Sequence, residues 1–148
     1  MFSKSCKYAV RAVLYLAIKT NEESKMGVLE LASKLDVPKH FLAKILQQLS
    51  KNKLVSSSKG RNGGFYLSEK NMQSNLLAVI EVFDGTDVFS ECILGLDVCS
   101  GENPCPYHYT IAESRNEFLG QLQTETIADT AIRISKRGYK LKNKLKKK

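Results

Sequence analysis

The sequence predicts a mainly α chain with a small β hairpin, and three observations lead there. Apolar residues recur at helical spacing from about Ser5 to Lys19, from Val28 to Leu35 and after Pro38. A Gly-rich stretch bounded by two short apolar runs follows between Leu54 and Leu67. Beyond it, two further helical stripes frame an aperiodic stretch, residues 86–109, that carries three of the four cysteines.

In the first helix Val10, Val13, Leu14 and Ala17 form the buried stripe, and Val28, Leu31, Ala32 and Leu35 repeat that spacing in a shorter one. Asp36-Val37-Pro38 interrupts, because the residue before a proline is biased away from helix, and Pro38 suits the first turn of a new helix. There Phe41, Leu42, Ile45, Leu46 and Leu49 face inward, with Asn52 as the expected left-handed stop. Leu54-Val55 then reads as a strand, residues 56–64 as a turn, and Phe65-Tyr66-Leu67 as the returning strand. Two short helices joined by a tight break and followed at once by a hairpin make a winged helix-turn-helix. Leu76, Leu77, Val79, Ile80 and Phe83 give the next helix, capped by Ser74 or Asn75 and stopped at Asp84-Gly85. A longer helix runs from about Thr110, with Ile111, Phe118, Leu119 and Leu122 on one face. Ile127–Ile134 closes the pattern with Thr126 as its cap.

The 148 residues carry a formal charge of +8, unevenly placed. Residues 1–70 hold 13 Lys/Arg against 5 Asp/Glu, residues 71–135 hold 2 against 10, and residues 136–148 hold 8 against none. The expected organisation follows those blocks: a DNA-binding region at 1–70, a connecting helix, cysteine loop and long helix at 71–135, and a basic, flexible tail at 136–148. Such sign asymmetry points to a polyanion partner for the basic part. The longest apolar run, Ala12–Ile18, is far short of the roughly 20 residues that span a bilayer. Lys4, Lys7 and Arg11 interrupt the place where a secretory leader needs its apolar stretch. The expectation is a cytoplasmic protein with no membrane partner.

In a helix-turn-helix the second helix enters the major groove. Its polar face here presents Lys39, His40, Ala43, Lys44, Gln47 and Lys51. Lys44 and His40 can reach bases, whereas Lys39 and Lys51 suit phosphates. Lys59 or Arg61 at the hairpin tip suits a narrow minor groove. Ser56 and Ser57 can donate to phosphates, and Tyr8 and Arg11 can touch the backbone from the first helix. The Gly-rich turn lacks the strand-to-helix setting and the Gly-Lys-Ser/Thr ending of a nucleotide-phosphate loop.

Cys92, Cys99 and Cys105 are spaced C-x6-C-x5-C, with His108 three positions further on. Three thiols and an imidazole in a Gly/Pro-punctuated loop offer soft ligands suited to an iron–sulfur cluster or zinc. The C-x2-C knuckle of structural zinc is missing. A thiol, zinc or small-ligand sensor stays open beside a cluster. A Cys105–His108 enzyme has little support, since prolines flank Cys105 and no orienting third group or oxyanion donors accompany the pair. The expectation is that the protein is not an enzyme.

Tyr8-Ala9-Val10-Arg11-Ala12, the segment Leu29–Leu54, the Gly60-x-x-Gly63-Gly64-x-x-Leu67 turn and the three spaced cysteines together resemble the Rrf-type winged-helix transcriptional regulators. That family includes the iron–sulfur cluster assembly regulator IscR and the nitric-oxide-sensing repressor NsrR. The likeness covers most of residues 1–134. It implies a homodimer on a near-palindromic double-stranded DNA operator, with the helix from about Thr110 to Gln123 as the dimerisation helix and repression as the expected action. It also implies a [2Fe–2S] or [4Fe–4S] cluster on Cys92, Cys99 and Cys105, with His108 as fourth ligand or, from the partner subunit, the residue equivalent to Cys6. Lys59 stands where an arginine is usual, the first cysteine interval is x6 rather than x5, and the polar face of the second helix differs from that of the cluster assembly regulator.

Overall fold

The computed structural model describes residues 2–142. Seven α-helices and one two-stranded hairpin follow in the order α1 (Lys4–Lys19), α2 (Val28–Leu35), α3 (Lys39–Lys51), β1 (Ser56–Ser58), β2 (Gly64–Tyr66), α4 (Glu69–Met72), α5 (Leu76–Asp84), α6 (His108–Thr124) and α7 (Ile127–Arg137). A single 3-10 turn, Asp87–Phe89, follows α5. The mainly α fold with a small β wing is as the sequence predicts.

Helix α1 begins where the Ser3 hydroxyl accepts from the Cys6 amide at 3.1 Å, a side-chain N-cap. Its Ala9, Ala12, Val13 and Leu16 are buried, and they share one core with Leu31 and Leu35 of α2, Leu42, Ile45, Leu46 and Leu49 of α3, and Val79 of α5. The α2–α3 break turns on Asp36, which is left-handed at φ 56, and Pro38 stands at the N-cap of α3.

Several boundaries differ from the sequence reading. Asn52 is right-handed at φ −90, and the left-handed residue is Lys53 at φ 59, so the chain turns one residue later. Leu54 and Val55 are buried core residues ahead of the hairpin rather than a strand, and the serines make β1, with Ser56 opposite Tyr66. The wing is widened by Met26, whose amide and carbonyl both bond to Phe65 at 2.9 and 2.8 Å. Gly64 makes that approach possible: its φ is +150, and a Cβ there would lie 2.9 Å from the Met26 carbonyl. The four-residue helix α4 has no apolar stripe; a Ser68–Asn71 capping box forms it.

Asn75 caps α5 by accepting from the Ala78 amide. Helix α6 starts at His108, two residues before the expected point. Helix α7 carries the Thr126–Asp129 capping box and runs past Ile134 to Arg137, where Gly138 at φ 65 turns the chain. Lys136 and Arg137 therefore belong to α7, and Leu141 packs against the main core. The rest of the expected tail, residues 143–148, lies outside the described residues. No described helix is long and apolar enough to cross a membrane.

Candidate DNA interface and three-thiol site

Helix α3 divides cleanly. Leu42, Ile45, Leu46 and Leu49 are buried, Phe41 is half-buried, and Lys39, His40, Lys44, Gln47 and Lys51 are exposed, with Ala43 half-buried among them. Among the described residues, no hydrogen bond or ion pair is seen for the side chains of Lys39, His40, Lys44 and Gln47, which face solvent. The Phe41 ring stands edge-on to Tyr8 of α1, centroids 5.6 Å apart, and the Arg11 guanidinium lies 4.9 Å from the Tyr8 ring. Tyr8 and Arg11 thus sit at the junction of α1 with the first turn of α3.

At the wing tip the Gly63 amide donates to the Gly60 carbonyl at 3.0 Å. This four-residue turn projects Arg61, and Lys59 precedes it, both exposed. Ser57 is exposed, whereas the Ser56 hydroxyl is taken up internally, donating to Asn71 Oδ1 at 2.7 Å. Asn71 is the one buried polar side chain among the described residues. Its Oδ1 also accepts from the Ser68 amide and hydroxyl at 2.9 Å each, and its Nδ2 donates to the Lys53 carbonyl at 3.0 Å. One amide therefore joins the exit of α3, the wing and α4. The sequence reading missed it; the Ser68-x-x-Asn71 spacing was the available signal.

The cysteine loop converges. The Sγ atoms of Cys92, Cys99 and Cys105 all lie within 4.8 Å of one another. Short turns bring them there: the Gly95 amide bonds to the Cys92 carbonyl, the Cys99 amide to Leu96, and the His108 amide to Cys105. Asn103 and Tyr109 tie the loop to itself through the Val98 and Gly101 carbonyls. The Arg115 guanidinium of α6 donates to the Glu91 carbonyl. The thiols edge a cavity of about 110 Å³ closed by Phe89, Ile111, Ala112 and Arg115 against the first turns of α6. His108 Nδ1 is 3.2 Å from Cys99 Sγ. Cys105 is buried, and Cys92 and Cys99 are half-buried.

Backbone N–H groups of Leu96 and Leu94, with the neighbouring thiols, pull the Cys92 thiol down to about 7. For Cys99 the Cys105 backbone amide pulls down most, yet burial and the thiols of Cys92 and Cys105 together prevail and raise it. The trio thus offers three adjoining sulfurs, with Cys92 drawn towards the thiolate, a soft donor set that fits a thiophilic metal or cluster. Cys6 stands elsewhere. It is fully buried against Ile80 and Leu122, and burial, then Asp84, pushes its thiol up to about 12.

The profile described as "Iron-dependent Transcriptional regulator", Rrf2, matches residues 2–132. The chain belongs to the Rrf2 family. It is accordingly a DNA-binding transcriptional regulator. A putative HTH-type transcriptional regulator of Aquifex aeolicus is 33% identical over 131 residues, covering 87% of this chain and 90% of that protein. The regulator NsrR of Geobacillus kaustophilus is 27% identical, over 83% of this chain and 84% of its own. Among solved structures, CymR, the global cysteine regulator of B. subtilis, superposes with a TM-score of 0.71 at 22% identity, covering 90% of this chain and 97% of that one. IscR of T. potens gives 0.67 at 19% identity, covering 94% and 91%. These two establish the winged-helix Rrf2 fold.

Proposed function

We propose that this Rrf2 regulator grips a near-palindromic operator as a homodimer, and that the three-thiol loop is its sensor, holding an iron–sulfur cluster. The observation that carries the sensor is the convergence of Cys92, Cys99 and Cys105 within 4.8 Å on the segment that links α5 to α6. Three soft sulfur ligands so close together match the donor set of a thiophilic metal or cluster. When bound, the cluster supplies a redox- and ligand-sensitive cross-link between otherwise separate turns. His108 suits the fourth ligand position better than Cys6, because it adjoins Cys99 while Cys6 is enclosed by its own chain. Family membership supports regulation rather than catalysis.

On the DNA side, α3 would lie in the major groove, with His40, Ala43, Lys44 and Gln47 towards base edges and Lys39 and Lys51 on phosphates. Lys59 and Arg61 would follow the minor groove, with Ser57, Tyr8 and Arg11 on the backbone. Ser56 is the weakest candidate of this set, since its hydroxyl is spent on Asn71.

Anaerobic purification followed by a visible spectrum with iron and sulfide assays tests the sensor. The expected result is a coloured protein with matched iron and sulfide, both lost on replacing Cys92, Cys99 or Cys105; a colourless protein after anaerobic reconstitution overturns it. The compactness of the thiols favours a second reading, a single zinc ion. Tetrahedral zinc at about 2.3 Å from sulfur sets sulfurs roughly 3.8 Å apart, inside the 4.8 Å limit seen here. Stoichiometric zinc in the colourless protein would establish it. For the DNA reading, Lys59→Ala with Arg61→Ala should weaken binding to all duplexes and flatten its salt dependence by about two phosphate contacts per bound chain. Unchanged affinity and slope would remove the wing from the interface.

A further inference from the structure

The face of α6 that begins with His108 runs on through Ile111 and Ala112 to Arg115, because residues three, four and seven positions apart share one side of a helix. All four line the cavity that the three thiols edge, and Arg115 is the only Lys or Arg among the described residues of that lining. The side chain is half-buried. Its Nη1 donates to the Glu91 carbonyl, one residue ahead of Cys92. Its Nε is buried and has no hydrogen-bond partner among the described residues. Glu91 does not neutralise it: the backbone carbonyl makes the contact, and the exposed Glu91 carboxylate forms no ion pair with the guanidinium. A buried donor left unpaired costs stability, and a guanidinium keeps its charge whatever surrounds it. Both features call for an acceptor that carries negative charge. The cavity holds that chemistry in its sulfurs, since three thiolates around a divalent ion or an iron–sulfur cluster leave an excess of negative charge that a partly desolvated site must offset.

We infer that Arg115 is the counter-charge of the loaded three-thiol site, offsetting the excess charge of the thiolates and donating through its Nε–H to a metal-bound sulfur. The inference deepens the sensor reading above and rests on it. Arg115 does not ligate, because a guanidinium has no lone pair to give. It is a positioning residue with two separable contributions. Through Nη1 it ties the entry of the loop, at Glu91, to the helix at the loop's exit. Through its charge and its free Nε–H it favours the thiolate form of the sulfurs once a metal has replaced their protons. One face of α6 then supplies both a ligand nitrogen, on His108, and the compensating charge two turns further on.

The test uses the full chain, reduced and metal-free, with cobalt(II) as probe and zinc as competitor. Cobalt accepts thiolate and imidazole ligands and reports them by thiolate-to-metal charge-transfer absorption. Arg115→Gln keeps an N–H donor for the Glu91 carbonyl and loses the charge, whereas Arg115→Lys keeps the charge and loses the fork. Arg115→Gln should weaken metal binding about 10- to 100-fold, the usual scale for a group that supports the ligands, and Arg115→Lys should recover most of that loss. In cluster-reconstituted protein the reduction potential should fall in Arg115→Gln and return in Arg115→Lys, because a positive charge beside the sulfurs favours the added electron. The unmodified chain gives a readout free of any folding defect: zinc should slow solvent exchange of the Arg115 Nε–H, followed by NMR. Equal affinity in all three chains overturns the inference, as does Nε–H exchange that zinc leaves unchanged. An equal loss in both variants reduces Arg115 to a tether and overturns the counter-charge. In each of these cases the three-thiol reading survives. If the unmodified chain takes up neither cobalt, zinc nor a reconstituted cluster, the sensor reading falls and the inference falls with it.

Discussion

The unit built from α1, α2, α3, the wing and α5 and the loop at residues 86–107 are held together by different physics. In the first, Leu16, Leu31, Leu35, Leu42, Leu46, Leu49 and Val79 have essentially no exposed surface. In the second, Cys105 is the only buried residue, while Ile93, Leu94 and Leu96 are about half exposed and Val98 is 73% exposed. Hydrophobic burial orders the first unit whatever is bound. The loop is ordered by short backbone turns and by the meeting of three thiols, so a metal or cluster held there, as proposed above, would decide how firmly it stands. A sensor needs that inequality, since a segment locked by its own core would not respond to gain or loss of a ligand.

Four substitutions would break or sharpen the contrast. Leu46→Ala on α3 should cost about 2–5 kcal/mol in urea unfolding, because it empties a site with no exposed surface. A loss below about 1 kcal/mol would mean that the first unit is not one packed core. Gly64→Ala should cost about 1–3 kcal/mol, from its φ of +150 and the collision with Met26. That loss should come with weakened amide protection at Phe65. Cys6 gives a pH signature of the packed unit. Its thiol is held up near 12 when folded and titrates near 8.5 when unfolded, so the unfolded state releases protons first as pH rises. The associated stability is complete below about pH 8.5 and declines above it. Cys6→Ala should therefore unfold more easily at pH 7 yet lose less between pH 8.5 and 9.5; an identical slope in both proteins would show that the thiol is not protected. The smallest effect is expected from Cys99→Ser. In metal-free protein it should leave global stability within about 0.5 kcal/mol while abolishing metal uptake. A large loss in metal-free protein would mean that the loop is part of the core after all.

The sequence made the helices legible because each buries a stripe at helical spacing, and Pro38, Asn75 and Thr126 marked their beginnings. The hairpin was found, but its first strand was set two residues early and its second one residue late, since Leu54 and Val55 look like a strand yet fill the core, while three serines pair by backbone alone. Helix α4 is too short to carry a period. The polar face of α3 could be listed residue by residue from spacing, and the structure finds Lys39, His40, Lys44, Gln47 and Lys51 exposed with Ala43 half-buried among them. That Cys92, Cys99 and Cys105 meet was expected from three thiols in one Gly/Pro-punctuated loop, but the x6 and x5 intervals did not reveal which amide closes each turn. Nor could spacing foresee that Leu141, 130 residues after Arg11, would return to α1.

Asn71 bears on how the protein meets its operator. With the exit of α3, β1 and α4 bonded to one buried amide, the helix proposed to enter the major groove and the hairpin beside it would move as a single stiff jaw. A stiff jaw has a fixed bite, so any mismatch between its span and the groove must be absorbed by bending or narrowing the duplex. Sequences that deform easily at the wing position then bind better even where no side chain touches a base.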